Sequence, residues 1–137
     1  MKQTLKVLFP RGKKVDVRVG DFMVETDQCE KSGGEASAPE PFDFFLSSLA
    51  SCAGIYALNF CHSRDLPTQG LVLEMDWVRD EKPPFNARVH YRLILPEGFP
   101  EKYRKGILRA MDLCTVKRYL KNPPEFTMEA VSFDETA

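Results

Sequence analysis

The sequence lacks the features by which several large classes of protein are recognised. Its 19 basic and 20 acidic side chains give a net charge of −1, so no strong field of one sign is available to bind nucleic acid or an anionic membrane. It has two histidines, and its four cysteines form no Cys-x-x-Cys pair, which argues against a structural zinc site. Phosphate-binding glycine-rich loops and the Gly-x-Ser-x-Gly elbow of hydrolases are missing as well. We therefore expect no nucleic-acid partner, no metal and no cofactor.

Length and the N-terminal residues predict how the chain is organised and where it functions. The 137 residues have room for one domain, 1–137, and no repeat, linker or low-complexity tract divides them. The first apolar run, from Leu5 to Phe9, is interrupted by Lys6 and followed by Arg11, so it does not resemble a secretory signal. We therefore expect a cytoplasmic protein, in which structural disulfides are rare and the cysteines are free thiols.

The segment from Phe44 to Cys61 is the most unusual in the chain, because none of its residues carries a formal charge. It is just long enough to span a bilayer, but serines, Gly54 and Asn59 dilute it and the rest of the chain is typical of a soluble protein. A helix that is apolar on nearly every side is more often buried in a core. Because one small domain can hardly surround such a helix, we infer that a second copy of the chain covers its outer face.

Alternating apolar and polar residues predict strands on both sides of this helix. Three short strands precede it, and a loop rich in glycine and proline, from Gln28 to Pro41, joins them to it. The elements expected after it are strands near 71–77 and 87–95, a helix opened by Pro100, a short helix from about Thr115 to Leu120, and a last strand from Glu125 to Phe133. This order predicts an α+β protein with antiparallel sheets.

Cys52 lies in the middle of the uncharged helix, on a face that it shares with Phe45, Leu49 and Tyr56. Free cysteine is among the most buried residue types, so a small, inert core side chain is one interpretation. A reactive Cys52 is the other. Since apolar surroundings disfavour a thiolate, reactivity requires a cation supplied from elsewhere in the fold.

Cys114 lies where one predicted helix ends and the next begins. Backbone N–H groups at a helix start favour a thiolate, and Lys117 and Arg118 add positive charge nearby. A core residue is the alternative interpretation of Cys114. Cys29 and Cys61 have no distinguishing neighbours and are interpreted as incidental thiols.

Two stretches around Cys52 and Cys114 resemble motifs of the OsmC superfamily. The residues from Pro41 to Cys52, PFDFFLSSLASC, are similar to its helix motif: a proline, an aromatic or polar residue, an acidic residue, three apolar residues, small residues and then cysteine. Cys114-Thr115-Val116, followed by Leu120, resembles the second motif. The separation of the cysteines and the order of elements fit as well, so the resemblance extends over nearly the whole chain.

This resemblance implies both a fold and an activity. The superfamily, which includes the organic hydroperoxide resistance (Ohr) proteins, implies an intertwined homodimer in which antiparallel sheets from both subunits wrap two long central helices. It also implies a cysteine-dependent peroxidase. Cys52 would attack the hydroperoxide as thiolate and become a sulfenic acid, Cys114 would condense with it to a disulfide, and an external dithiol would reduce the pair.

The sequence departs from the pattern of the peroxidase branches at one position. In those branches a glutamate follows the proline and, with an N-terminal arginine, orients the reactive thiolate, whereas this chain has Phe42 there. Asp43 matches the acidic position of other branches of the superfamily. Arg11 is the first candidate for the arginine and Arg18 is the second.

Three functions follow as hypotheses. The first is a thiol peroxidase for organic hydroperoxides, and the presence of both motif cysteines favours it because a simple binding pocket has no need of Cys114. The second is a dimeric binding protein whose apolar pocket holds a small molecule while Cys52 is a spectator, and Phe42 favours this one. The third is a structural dimer with no pocket.

Overall fold

The computed structural model describes residues 1–136, and within them it confirms the predicted α+β class. A three-stranded sheet precedes a long helix, and a two-stranded sheet and two shorter helices follow it. The elements are β1 Lys6–Leu8, β2 Asp16–Val19, β3 Phe22–Val24, α1 Pro41–His62, β4 Val72–Arg79, β5 Ala87–Ile94, α2 Arg104–Asp112 and α3 Thr115–Lys121. Single turns of 3-10 helix lie at Glu30–Ser32 and Glu101–Tyr103, so Pro100 precedes a 3-10 turn that leads into α2.

The N-terminal sheet is antiparallel, in the order β1-β2-β3, with Val17 paired to Val7 on one side and to Val24 on the other. Its strands pack closely only against one another within the described chain. Large apolar side chains on and beside it stay open to solvent, with Phe9 78% and Phe22 77% exposed. The sheet is therefore built by hydrogen bonds and leaves its apolar side chains without a cover in a single chain.

Polar contacts centred on Asp27 hold the loop between β3 and α1. The Asp27 side chain is 1% exposed, and its carboxylate accepts hydrogen bonds from the N–H groups of Gln28 at 2.8 Å and Ser37 at 3.1 Å and from the Ser37 hydroxyl at 2.6 Å. The same loop needs a glycine at position 34, because a Cβ there would lie 2.0 Å from the Gln28 carbonyl oxygen. The loop is thus a closely packed polar structure.

The start of α1 is fixed by its own acidic residues and by a proline. Pro41 occupies the first turn, where a missing N–H is not needed, and the Glu40 N–H donates to Asp43 Oδ2 at 2.9 Å. Glu40 Oε1 also accepts a hydrogen bond from the Cys29 N–H at 3.1 Å, which ties the helix start to the loop. Both acidic residues beside Phe42 are therefore engaged at the N-terminus of the helix.

A single stripe of α1 forms the centre of the core. The β4–β5 hairpin and α2 pack against it, and α2 approaches closely because Gly106 faces the Phe60 ring, where a Cβ would meet the ring at 3.0 Å. The buried cluster consists of Ala53, Ala57, Phe60, Cys61, Ile107 and Met111. By length and composition α1 could cross a membrane, but one such helix is weak evidence for a span, because core helices of soluble proteins pass the same test. Its other sides are less covered, and Phe42 and Ile55 are about half exposed.

The expected last strand, from Glu125 to Phe133, is wrong. These residues form no strand in the structure, and a 3-10 turn follows at Phe133–Thr136. Phe126 and Met128 are 83% and 97% exposed. An alternating pattern becomes a strand only where a neighbouring edge supplies hydrogen bonds, and no strand within residues 1–136 pairs with this segment.

Candidate active site

The structure brings the two motif cysteines together where α1 meets α3. Cys52 is half-buried in the middle of α1, and Cys114, 1% exposed, directly precedes α3. The two side chains are close enough for Cys52 to raise the pKa of the Cys114 thiol, and both cysteines are free. A disulfide requires closely spaced cysteines, and these two are neighbours in the folded chain.

Cys114 caps α3, as the sequence predicted for a residue at a helix start. Its Sγ accepts a hydrogen bond from the Lys117 N–H at 3.4 Å. Burial nevertheless raises the pKa of the Cys114 thiol, and the neighbouring Cys52 raises it further, while the Lys117 N–H acts in the opposite direction. The Lys117 ammonium pairs with Asp112, a contact that lowers the pKa of the Asp112 carboxyl. Cys114 is therefore a protonated thiol at neutral pH.

Tyr91 is the third group at this site, and the sequence analysis missed it. Its ring lies on the inner face of β5, half-buried, and its hydroxyl donates to the Leu49 carbonyl oxygen at 3.3 Å, one turn before Cys52 on α1. Burial raises the pKa of the Tyr91 phenol, and the negative charge that Cys114 and Cys52 can carry raises it further. The sequence placed Tyr91 on the apolar face of a strand, but no sequence signal paired that strand position with the cysteines.

An apolar cavity of about 300 Å³ opens beside this group. That is at the lower end of the size range of small-molecule sites. The lining residues are Leu49, Val89, Tyr91, Lys117, Leu120 and Lys121. The cavity thus combines aliphatic walls, two lysines and the ring that carries the Tyr91 hydroxyl.

A second polar cluster fastens α3 to α1 on the other side of the cysteines. The hydroxyls of Tyr56 and Thr115 are 3.0 Å apart, and the Arg118 guanidinium donates to both at 3.4 Å. Tyr56 follows Cys52 by one helical turn, so the sequence could place it on the same face but could not give it these partners. Arg118 is consequently a cation held beside Tyr56, one helical turn from Cys52.

The two arginines considered from the sequence lie in the N-terminal region. The Arg11 guanidinium pairs with Glu35 at 3.2 Å, with both side chains more than half exposed, and Arg18 is an exposed residue of β2. Within residues 1–136 neither arginine hydrogen-bonds to Cys52 or Cys114. A single chain thus brings the two thiols together without either arginine.

Phe42 forms part of an aromatic cluster. Its ring stacks on Phe45 with centroids 5.3 Å apart and meets Trp77 edge-on at 5.5 Å. The position that holds a glutamate in the peroxidase branches therefore joins α1 to β4 by apolar contact in this chain.

The remaining cysteines lie apart from this site. The Cys29 thiol donates to the Ser32 hydroxyl at 3.4 Å in the loop before α1. Cys61 is fully buried in the core, where burial raises the pKa of its thiol. No group of three histidine, cysteine or acidic side chains within the described residues is placed to hold a metal ion.

Comparison with protein families identifies the architecture. The family described as OsmC-like protein matches residues 33–129, which is more than half of the chain and includes both motif cysteines. The chain belongs to the OsmC-like family. A comparison with curated proteins found no match.

Solved structures share the fold of this OsmC-like protein at low sequence identity. A protein from Psychrobacter arcticus 273-4, described as an osmotic stress induced and detoxification response protein, has a TM-score of 0.70 and 20% identity over 86% of this chain and 88% of its own. The OsmC-like protein of Mycoplasma pneumoniae has a TM-score of 0.66 and 18% identity, covering 90% and 89%. An organic hydroperoxide resistance protein OsmC from Legionella pneumophila has a TM-score of 0.59 and 13% identity, covering 88% and 90%. The OsmC-like fold expected from the cysteine motifs is thereby confirmed.

Proposed function

We propose that this OsmC-like protein is a cysteine-dependent thiol peroxidase that reduces organic hydroperoxides. The observation that carries the proposal is the proximity of Cys52 on α1 to Cys114 at the start of α3, near Tyr91, which lines an apolar cavity. Family membership and a structural relative described as an organic hydroperoxide resistance protein support the redox chemistry. Aliphatic cavity walls favour organic hydroperoxides over hydrogen peroxide, because only an alkyl group gains by leaving water.

The proposed cycle assigns one role to each cysteine. The Cys52 thiolate attacks the terminal oxygen of the hydroperoxide, the O–O bond breaks, and the products are Cys52 sulfenic acid and an alcohol. The Cys114 thiol then attacks the sulfenic sulfur, so a disulfide forms and water leaves. An external dithiol reduces the disulfide by thiol–disulfide exchange and is itself oxidised. Half-buried Cys52 suits the first role, and Cys114, a protonated thiol close to it, suits the second.

A homodimer is part of this proposal. Apolar side chains are exposed on the outer side of α1, on the N-terminal sheet and on the segment after α3, at Phe42, Ile55, Phe22, Phe126 and Met128. Monomeric soluble proteins rarely leave so much apolar surface open, so a second copy is the expected cover. We expect light scattering to give the mass of two chains, and the mass of one chain would contradict the dimer.

Arg11 keeps its role as the proposed thiolate partner only within this dimer. Within one chain Arg11 pairs with Glu35 in the N-terminal region, which packs little against the helices that carry the cysteines. In an intertwined pair of chains this region would lie against the helices of the other copy. Within one chain the nearby cations are Lys117, whose charge acts on Cys114, and Arg118, which donates to the Tyr56 hydroxyl.

The test of the peroxidase is peptide mass spectrometry after one equivalent of cumene hydroperoxide is added to the reduced protein. The expected product is a Cys52–Cys114 disulfide, with Cys29 and Cys61 still free thiols. Cys114→Ser is the matched variant and should stop at Cys52 sulfenic acid, trapped by dimedone. If Cys52 stays a thiol under excess peroxide, the peroxidase proposal is wrong.

A dimeric binding protein for a small apolar molecule is the alternative function. Phe42 favours it, because aromatic packing replaces the glutamate that orients the thiolate in peroxidase branches. The cavity beside Tyr91 would hold the ligand, and Cys52 would have no chemical role. Unreactive Cys52 together with a ligand that co-purifies in the cavity is the result that distinguishes this function from the peroxidase.

A further inference from the structure

Tyr91 is the polar group best placed to meet a substrate in the cavity. Its ring lines the cavity together with Leu49, and its hydroxyl donates to the Leu49 carbonyl, one helical turn before Cys52. The bond to this carbonyl is long, at 3.3 Å, so a better acceptor can compete for the proton. An oxygen bound between the cavity and Cys52 would be such an acceptor.

We propose that the Tyr91 hydroxyl donates its proton to the alkoxide oxygen that leaves when the Cys52 thiolate attacks an organic hydroperoxide. The inference rests on the peroxidase proposed above and assigns that reaction a general acid. It applies to substrates whose leaving group is a poorly stabilised alkoxide, which is the class formed by alkyl and aralkyl hydroperoxides.

The step balances in atoms and charge. The Cys52 sulfur bonds to the terminal oxygen, the O–O bond breaks, and both of its electrons go to the oxygen attached to carbon. That oxygen takes the Tyr91 proton and leaves as a neutral alcohol. The tyrosinate regains a proton from water, which replaces the one released when Cys52 ionised.

Tyr91 suits this role better than its polar neighbours. Lys117 and Lys121 also line the cavity, but both ammonium groups act on the Asp112 carboxylate, and the Tyr56 hydroxyl is held by Thr115 and Arg118. Burial raises the pKa of Tyr91, so the phenol keeps its proton at neutral pH until an alkoxide, a much stronger base, needs it.

The experiment compares two oxidants that differ in whether their leaving group needs a proton. Cumene hydroperoxide releases an alkoxide, whereas peracetic acid releases acetate, which is stable without protonation. Rates of Cys52 oxidation are measured with dimedone trapping in the Cys114→Ser background, with and without Tyr91→Phe. Because general acid catalysis commonly contributes ~100-fold or more, we expect Tyr91→Phe to slow oxidation by cumene hydroperoxide by about 100-fold and to leave the peracetic acid rate unchanged.

Several controls make this contrast specific. Tyr103→Phe removes a hydroxyl from another partly buried ring, which packs on Phe60, and should leave both rates unchanged. If Tyr91→Phe slows the reactions with both oxidants equally, as a folding defect would, Tyr91 is not the general acid. The same conclusion follows if it slows neither reaction, and in both cases the peroxidase proposal still stands. If the wild-type protein reacts with neither oxidant, both the peroxidase proposal and this inference are wrong.

Discussion

The central and N-terminal regions of this chain are ordered by different forces. In the central region, α1, β4, β5 and α2 bury a continuous apolar cluster in which Ile107 and Cys61 are completely covered. In the N-terminal region, the three-stranded sheet exposes its large apolar residues, and the loop after it is held by hydrogen bonds to one buried carboxylate, Asp27. The central region therefore needs only itself to bury its apolar stripe, whereas the N-terminal sheet needs another surface.

This difference bears on how the candidate site is assembled. Cys52 and Tyr91 belong to elements of the central region, and Cys114 lies between α2 and α3, so one chain alone brings the three side chains together. Arg11 belongs to the N-terminal region, where its described partner is Glu35. The proximity of the two cysteines is thus a property of the folded chain, whereas any role of Arg11 depends on how two chains associate.

The largest effect is expected from a cavity in the central core. Ile107 on α2 is fully buried against α1, so Ile107→Ala removes apolar contacts that nothing nearby can replace. We expect the free energy of unfolding to fall by about 3 kcal/mol, within the range of roughly 2–5 kcal/mol for such truncations. Urea denaturation of the reduced protein measures it.

The neighbouring residue supplies the control for this comparison. Leu108 is 49% exposed, and Leu108→Ala should cost clearly less than Ile107→Ala, because less apolar surface is lost. If the two variants were equally stable, the stability of the chain would not come mainly from the α1–α2 core.

Local sequence patterns predicted the elements well, and contacts between distant elements poorly. The uncharged run from Phe44 to Cys61 located α1, and the alternating residues located β4 and β5, because these signals are properties of one segment. The pairing of Cys52 with Cys114 came from family resemblance. Tyr91 was missed because its role comes from the contact between β5 and α1, and the last strand was wrong because pairing depends on a neighbour that the pattern cannot specify.

A smaller effect, confined to the N-terminal region, is expected from pH. The hydrogen bond from the Ser37 hydroxyl, followed by the Gln28 N–H, lowers the pKa of Asp27 to about 2. An unfolded aspartate titrates near a pKa of about 3.9, so between these values the unfolded chain binds more protons than the folded chain. The stability that Asp27 contributes is therefore complete above about pH 5 and is lost as pH falls towards 2.

Asp27→Asn isolates this contribution. The asparagine keeps the shape of the side chain but loses its charge, and its amide N–H₂ opposes the N–H donors that surround it. We expect the difference in unfolding free energy between wild type and Asp27→Asn to be largest at neutral pH and to shrink towards pH 2, whereas Asp21→Asn, in an exposed turn, should show no such trend. A difference that stays constant from pH 7 to pH 2 would mean that the charge of Asp27 does not hold the loop. The N-terminal region would then owe its order to backbone packing, such as the close approach at Gly34, and the contrast between the two regions would lose its electrostatic part.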